Sequence, residues 1–172
     1  MTFTRQNGGA AIVKFALTQV GKGYSEQSPS GSEGDGHLWY PGEPLPTVYD
    51  CSGFVCTCLR SVGIHAISNG NAQDQWKQHL GGIIPAQNPL MPGDVGAFLG
   101  SENVPGYAGH TAIVVTYDHV SRVGTLVNAY DTEKGVCEIA FDRPQVHNGN
   151  NGLGVLGFYR PANRFPSDPP RP

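Results

Sequence analysis

The chain predicts an α+β domain, with N-terminal helices packed on an antiparallel sheet of about five strands. Two observations carry this. Apolar residues in the first half recur at helical spacing, whereas those in the second half fall in short β-branched and aromatic runs divided by Gly, Asn, Asp and Pro. Helices first and strands after them do not match the alternation that a parallel sheet requires.

In GAAIVKFALTQVGKG, residues Ile12, Val13, Phe15, Ala16, Leu17 and Val20 share a helical period that stops at Gly21 and Gly23. Residues 25–47 are dense in Gly, Ser and Pro and read as a long loop, a feature often functional in compact domains. CSGFVCTCLRSVGI reads as a helix with Phe54, Val55, Cys58, Leu59 and Val62 on one stripe and Gly63 as its stop. NAQDQWKQHL reads as a second short helix closed by Gly81 and Gly82. GDVGAFLG, HTAIVVTY, GTLVNAY, VCEIAF and GVLGFYR then read as strands. The ending RPANRFPSDPPRP holds five prolines in thirteen residues, which divides the chain into a domain of 1–163 and a semi-rigid linker or tail of 164–172.

Composition narrows the function. A chain of 172 residues suits one domain, and Gly 24 with Pro 14 points to a loop-rich fold. A net charge of −3 argues against a nucleic-acid partner, which needs a basic face. No run approaches the roughly 18 apolar residues of a membrane span. The start MTFTRQNGGAAIVKFAL lacks the features of a secretory signal, so the expected place of synthesis is a cytoplasm. Four cysteines do not make a disulfide framework for a chain of this size.

Three of those cysteines fall within YDCSGFVCTC, at 51, 56 and 58. Their spacing is not that of a zinc knuckle, so no metal or cofactor is expected. Cys56, Cys58 and Cys137 read as small core residues. Cys51 differs because it follows a polar loop and opens a helix, where free N–H groups and the positive dipole end stabilise a thiolate and can receive an oxyanion. Asp50 or Ser52 can cap that helix. A thiolate nucleophile needs a base, and His110 at the start of HTAIVVTY is the best candidate, with small Ala108 and Gly109 beside it leaving its ring accessible. The other histidines, His37, His65, His79, His119 and His147, lie in loops or polar segments. A hairpin centred near residue 119 sets Asn128 opposite His110, where a carboxamide can hold the imidazole tautomer; Asp131 and Glu133 are carboxylate alternatives.

The order DCSGFV, PGDVGAF, GHTAIVV, VNAY resembles the NlpC-type cysteine peptidases, papain-like enzymes of bacterial cell-wall turnover, over roughly residues 9–160. The resemblance implies Cys51 as nucleophile, His110 as base, Asn128 as third residue, Tyr24 of GKGY near the oxyanion, and Asp50 and Ser52 as substrate-binding residues. The Trp-Gly-Gly that follows this Tyr in the family is missing, and a long segment intervenes before Cys51. The implied activity is hydrolysis of peptidoglycan stem peptides at the D-γ-glutamyl–diamino acid bond, with no cofactor. The expected setting is the N-terminal module of a phage endolysin. Such a module is monomeric, tethered to further lysin domains, and held in the host cytoplasm until the membrane is permeabilised. The rivals are an N-acetylmuramoyl-L-alanine amidase or related amidohydrolase, and a catalytically silent wall-binding or phage-tail module.

Overall fold

The computed structural model describes residues 5–27, 39–64, 71–78, 82–99, 108–143 and 154–161. The proposed tail of 164–172, and with it His37, His65, His79 and His147, lies outside these ranges.

Helix α1 spans Arg5–Leu17 and buries Ile12, Val13 and Ala16. Gly21, at φ +90°, turns the chain into a two-residue strand β1, Gly23–Tyr24, which pairs in parallel with β2, Val48–Tyr49. The sequence gives no hint of this pair, because two residues carry no periodicity. Its consequence is positional: the segment that leaves after Tyr24 returns beside it at Tyr49, one residue before Asp50. Of the expected loop 25–47, residues 28–38 lie outside the described residues. The returning part is anchored, with Trp39 buried against Phe15 at 6.0 Å between ring centroids and its indole N–H donating to the Glu43 carbonyl at 3.1 Å.

Helix α2 spans Cys51–Ser61. Asp50 is the cap: its backbone is extended (φ −88°, ψ 173°) and its carboxylate accepts the Gly53 N–H at 2.8 Å. At the other end, Gly63 at φ +82° donates to the Arg60 carbonyl and Ile64 to the Leu59 carbonyl, the paired bonds of a Schellman stop. The expected single apolar stripe is corrected here. Every residue from Cys51 to Arg60 is buried, because α1, the sheet and a third helix enclose α2. Arg60 is accommodated by stacking its guanidinium over Tyr40 at 4.4 Å. Phe54 and Leu59, both fully buried, contribute roughly 1.5–3 kcal/mol each. The third helix, α3, is Ala72–Gln78, opened by the Asn71 side chain accepting the Asp74 N–H.

The five expected strands are present as β3 (Val95–Phe98), β4 (His110–Tyr117), β5 (Val123–Ala129), β6 (Val136–Asp142) and β7 (Val155–Tyr159). They form one antiparallel sheet in the order β6-β5-β4-β3-β7. One face (Val95, Ile113, Val115, Val127, Ala129, Tyr159) packs under α1 and α2. The other (Phe98, Ala112, Val114, Leu126, Phe141, Phe158) lies under Ile84 and Leu90, a segment held by the buried Arg143 guanidinium, which donates to the carbonyls of Asn88 and Pro85. A bulge between Val114 and Thr116 interrupts the alternation of β4, so Tyr117 joins Ala112 and Val114 on this face. Before β3, Gly93 at φ +87° backs onto Gly9 of α1, leaving no room for a Cβ on either.

Candidate active site

The start of α2, the start of β4 and the end of β5 meet at one end of the sheet. Cys51 is 8 % exposed and packs among Ala72, Ala97, Ala108, Trp76 and Leu156. The backbone N–H groups of Thr111 and Ser52 lie close enough to its sulfur to favour the thiolate. Thr111 directly follows His110, so the thiol lies at the histidine's end of β4. Among the described residues no three His, Cys, Asp or Glu side chains gather as a metal centre would need.

His110 donates from Nε2 to Asn128 Oδ1 at 2.8 Å, and Asn128, fully buried, donates from Nδ2 to the Cys137 carbonyl at 3.2 Å. This second bond decides the chemistry of the first. With Nδ2 committed to Cys137, the atom facing the imidazole is an oxygen, which can only accept; Nε2 therefore carries the proton and Nδ1 is left as the basic nitrogen. The ring also packs edge-on to Tyr130 and against Phe98, each at 6.0 Å between centroids.

The predicted register is corrected while the contact stands. The ladder pairs Ile113 with Val127 and Val114 with Leu126, which sets Asn128 beside Ala112 and not opposite His110. The slip is two residues, an even number, so Asn128 keeps the face of His110 and reaches it diagonally. The carboxylate alternative Asp131 is occupied otherwise, accepting the backbone N–H groups of Glu133 and Lys134. The exposed His119 sits in the β4–β5 turn.

Two further expectations are corrected. The His110 ring is buried, 8 % exposed, because Phe98 and Tyr130 close around it. The Cys51 thiol is not lowered by its helix position: burial pushes it up to about 12, the Asp50 carboxylate adds to the rise, and the two N–H groups on the sulfur only partly oppose it. Burial likewise lowers His110, against the bond to Asn128. Burial therefore favours the uncharged form of both groups, the thiol at Cys51 and the neutral imidazole at His110. Cys56 and Cys58 are buried as expected, whereas Cys137 is half-buried on an edge strand.

Asp50, 2 % exposed, also accepts the Ser52 hydroxyl at 2.6 Å, so both residues flanking the thiol are bound to each other. Tyr24 lies close enough to Cys51 to feel its charge, and its hydroxyl donates to Glu26. Glu26 was not singled out by the sequence. Its carboxylate acts electrostatically on Tyr24, Asp50, Cys51 and His110. It stands two residues after Tyr24, in the stretch where the resembled family's Trp-Gly-Gly is missing.

No protein-family model and no curated protein matches the chain. Solved structures do. NlpC1 from Trichomonas vaginalis superposes with a TM-score of 0.61 at 20% identity, covering 93% of this chain and 46% of that one. NlpC2 from Trichomonas vaginalis gives 0.60 at 17%, covering 92% of this chain and 50% of that one. The P60 domain of the M. avium subspecies paratuberculosis antigen MAP1204 gives 0.62 at 20%, covering 94% of this chain and 98% of that domain. The chain thus spans about half the length of the two Trichomonas structures and nearly all of the P60 domain. Three helices on a five-stranded antiparallel sheet among the described residues, with the match covering more than nine-tenths of the chain, give this protein the fold of the NlpC and P60 domains.

Proposed function

We propose that the chain is a cysteine peptidase that hydrolyses peptide bonds in peptidoglycan stem peptides, with Cys51, His110 and Asn128 as its catalytic residues. The observation that carries this reading is the buried bond from His110 Nε2 to Asn128 Oδ1 at 2.8 Å, at the end of β4 where the Thr111 N–H comes close to the Cys51 sulfur. The likeness to two NlpC structures and a P60 domain supports the wall as the site of action.

Because burial favours the neutral thiol and the neutral imidazole, proton transfer accompanies attack and does not precede it. As Cys51 Sγ closes on the scissile carbonyl, its proton passes to His110 Nδ1. The imidazolium is held in place by Asn128 Oδ1. The Cys51 backbone N–H, which heads α2 and has no intrahelical partner, faces the developing oxyanion. His110 returns the proton to the leaving amine. Water, deprotonated by the same imidazole, then hydrolyses the thioester. Asp50, Ser52 and Tyr24 bind the substrate beside the thiol.

The bond cleaved in this reading is that between the D-glutamate γ-carboxyl and the diamino acid. The biological setting is phage-mediated host lysis, with the enzyme retained in the host cytoplasm until the membrane is opened and tethered to further lysin domains. Digestion of purified peptidoglycan followed by mass spectrometry of the released termini tests both levels. A new amino terminus on the diamino acid, absent with Cys51→Ala, supports the reading. A new terminus on L-alanine at the sugar overturns the bond in favour of an amidase, and full digestion by Cys51→Ala overturns the mechanism.

A further inference from the structure

Helix α3 touches both halves of the site through side chains that the mechanism above does not use. The Gln73 side-chain carbonyl accepts the Ala108 N–H at 2.6 Å, two residues before His110. The Gln75 side-chain amide donates to the Ser52 carbonyl at 2.9 Å, one residue after Cys51. Between them, Ala72 and Trp76 of the same helix pack against the Cys51 side chain together with Ala97, Ala108 and Leu156. Trp76 is seated by Gly157 of β7, where a Cβ would come within 2.8 Å of the indole, and by Tyr159 at 6.5 Å between rings.

Gln75 is an unusual choice for holding a fold together. It is 1 % exposed, and its Oε1 is buried with no hydrogen-bond partner among the described residues. A buried polar atom left unpaired costs about 1–3 kcal/mol. The Ser52 carbonyl it binds already serves as a helical acceptor within α2. A leucine of similar size would fill the space without the unpaired oxygen. The amide therefore adds little to stability, and what it adds is direction: the first turn of α2 cannot slide along α3. Local departures of this kind, where a less stable side chain holds a geometry, are a mark of functional sites.

We infer that α3 is a positioning clamp, in which Gln75 on the cysteine side and Gln73 on the histidine side set the separation of Cys51 and His110. This rests on the reading of those two residues as nucleophile and base. Cys51 and His110 sit on different elements, one on a helix and one on a strand, and no main-chain ladder joins them. The two glutamines, two positions apart on one short helix, connect each element to a common body. A misplacement of about 1 Å between reacting groups costs up to roughly 10²-fold in rate, so such a clamp has measurable leverage.

The test compares Gln73→Leu, Gln75→Leu and the acceptor-retaining Gln73→Glu with the wild type and with His110→Ala. The first measurement is the pH profile of Cys51 alkylation by iodoacetamide, resolved from Cys56, Cys58 and Cys137 by peptide mass spectrometry. The second is the division of any lost activity on wall fragments between kcat and KM. The expected result is that both Leu variants stay folded, with Gln75→Leu melting no lower than the wild type. Their alkylation profiles move toward that of His110→Ala, kcat falls roughly tenfold with KM little changed, and Gln73→Glu, which keeps the acceptor but adds a charge, retains more of the wild-type kcat than Gln73→Leu. Alkylation profiles superimposable on the wild type with unchanged kcat overturn the clamp. A lowered melting temperature without either change does so as well. Because alkylation needs no wall substrate, failure of the clamp is distinct from failure of the peptidase reading, which Cys51→Ala decides alone.

Discussion

Asn128 Oδ1 and His110 Nε2 meet at 2.8 Å as diagonal neighbours across β4 and β5, with Asn128 locked from behind by the Cys137 carbonyl. A fully buried carboxamide in this position fixes one ring tautomer and one ring orientation. Replacing it by alanine removes both restraints. Asn128→Ala is expected to lower kcat roughly 10²-fold or more, the scale on which a positioned acid–base group contributes, with KM less affected. Asn128→Asp keeps an acceptor and adds a negative charge, which favours the imidazolium. Its acid limb in kcat/KM is therefore expected to move to higher pH than the wild-type limb. An Asn128→Ala enzyme with wild-type kcat on purified wall fragments would remove Asn128 from the site.

The parts of this arrangement that were legible in the sequence are those set by local pattern. Five β-branched runs separated by turn residues became five strands, and Asp50 with Gly63 bounded α2. The facing of His110 and Asn128 was legible despite a wrong register, because an even slip preserves the face of a strand. What was not legible depends on distant residues. The β1–β2 pair is too short to carry a period. The helix-dipole argument for a thiolate at Cys51 counted α2 alone, whereas the thiol is governed by burial under α3 and β3 and by the Asp50 and Glu26 carboxylates. Gln73 and Gln75 were not singled out, because only the packing of α3 brings them to Ala108 and Ser52.

The raised Cys51 thiol predicts a distinctive alkylation profile. Burial favours the uncharged form, so with its value near 12 the thiolate share grows about tenfold per pH unit throughout the accessible range. Iodoacetamide labelling of Cys51 in the substrate-free protein is expected to rise steadily from pH 7 to pH 10 with no plateau. A plateau reached near neutral pH would show a thiolate–imidazolium pair at rest and would reverse the order of proton transfer and attack given above.

Glu26 supplies the second electrostatic prediction. Its carboxylate raises Cys51 by opposing the thiolate, and raises His110 by favouring the imidazolium. Neutralising it has a definite sign at each group. In Glu26→Gln both groups shift downward, so Cys51 alkylation at a given pH quickens and the acid limb of kcat/KM moves to lower pH. The Tyr24 hydroxyl keeps an acceptor in the amide oxygen, which separates the loss of charge from the loss of the hydrogen bond. Unchanged profiles in Glu26→Gln would confine Glu26 to the rim of the fold.

The last prediction concerns the joint between β3 and β7. Asp94, 1 % exposed at the start of β3, accepts two bonds from the Arg160 guanidinium at 2.7 and 2.9 Å and a third from the Met91 N–H at 2.7 Å. The Arg160 side chain is 43% exposed, so the pair is wet on one side and buried on the other. Removing the arginine leaves a carboxylate inside the protein without its counter-charge, whereas removing the carboxylate leaves an arginine that water can still reach. Arg160→Ala and Asp94→Ala are each expected to cost about 1–3 kcal/mol, the range for hydrogen bonds to charged groups. For a chain of this size that lowers the melting temperature by about 2–4 °C per kcal/mol. The double variant is expected to lose less than the sum of the two, because the buried carboxylate that penalises Arg160→Ala is then absent. Strict additivity in chemical denaturation would show that the two residues stabilise the strand ends independently, and that the 2.7 and 2.9 Å contacts do not couple β3 to β7.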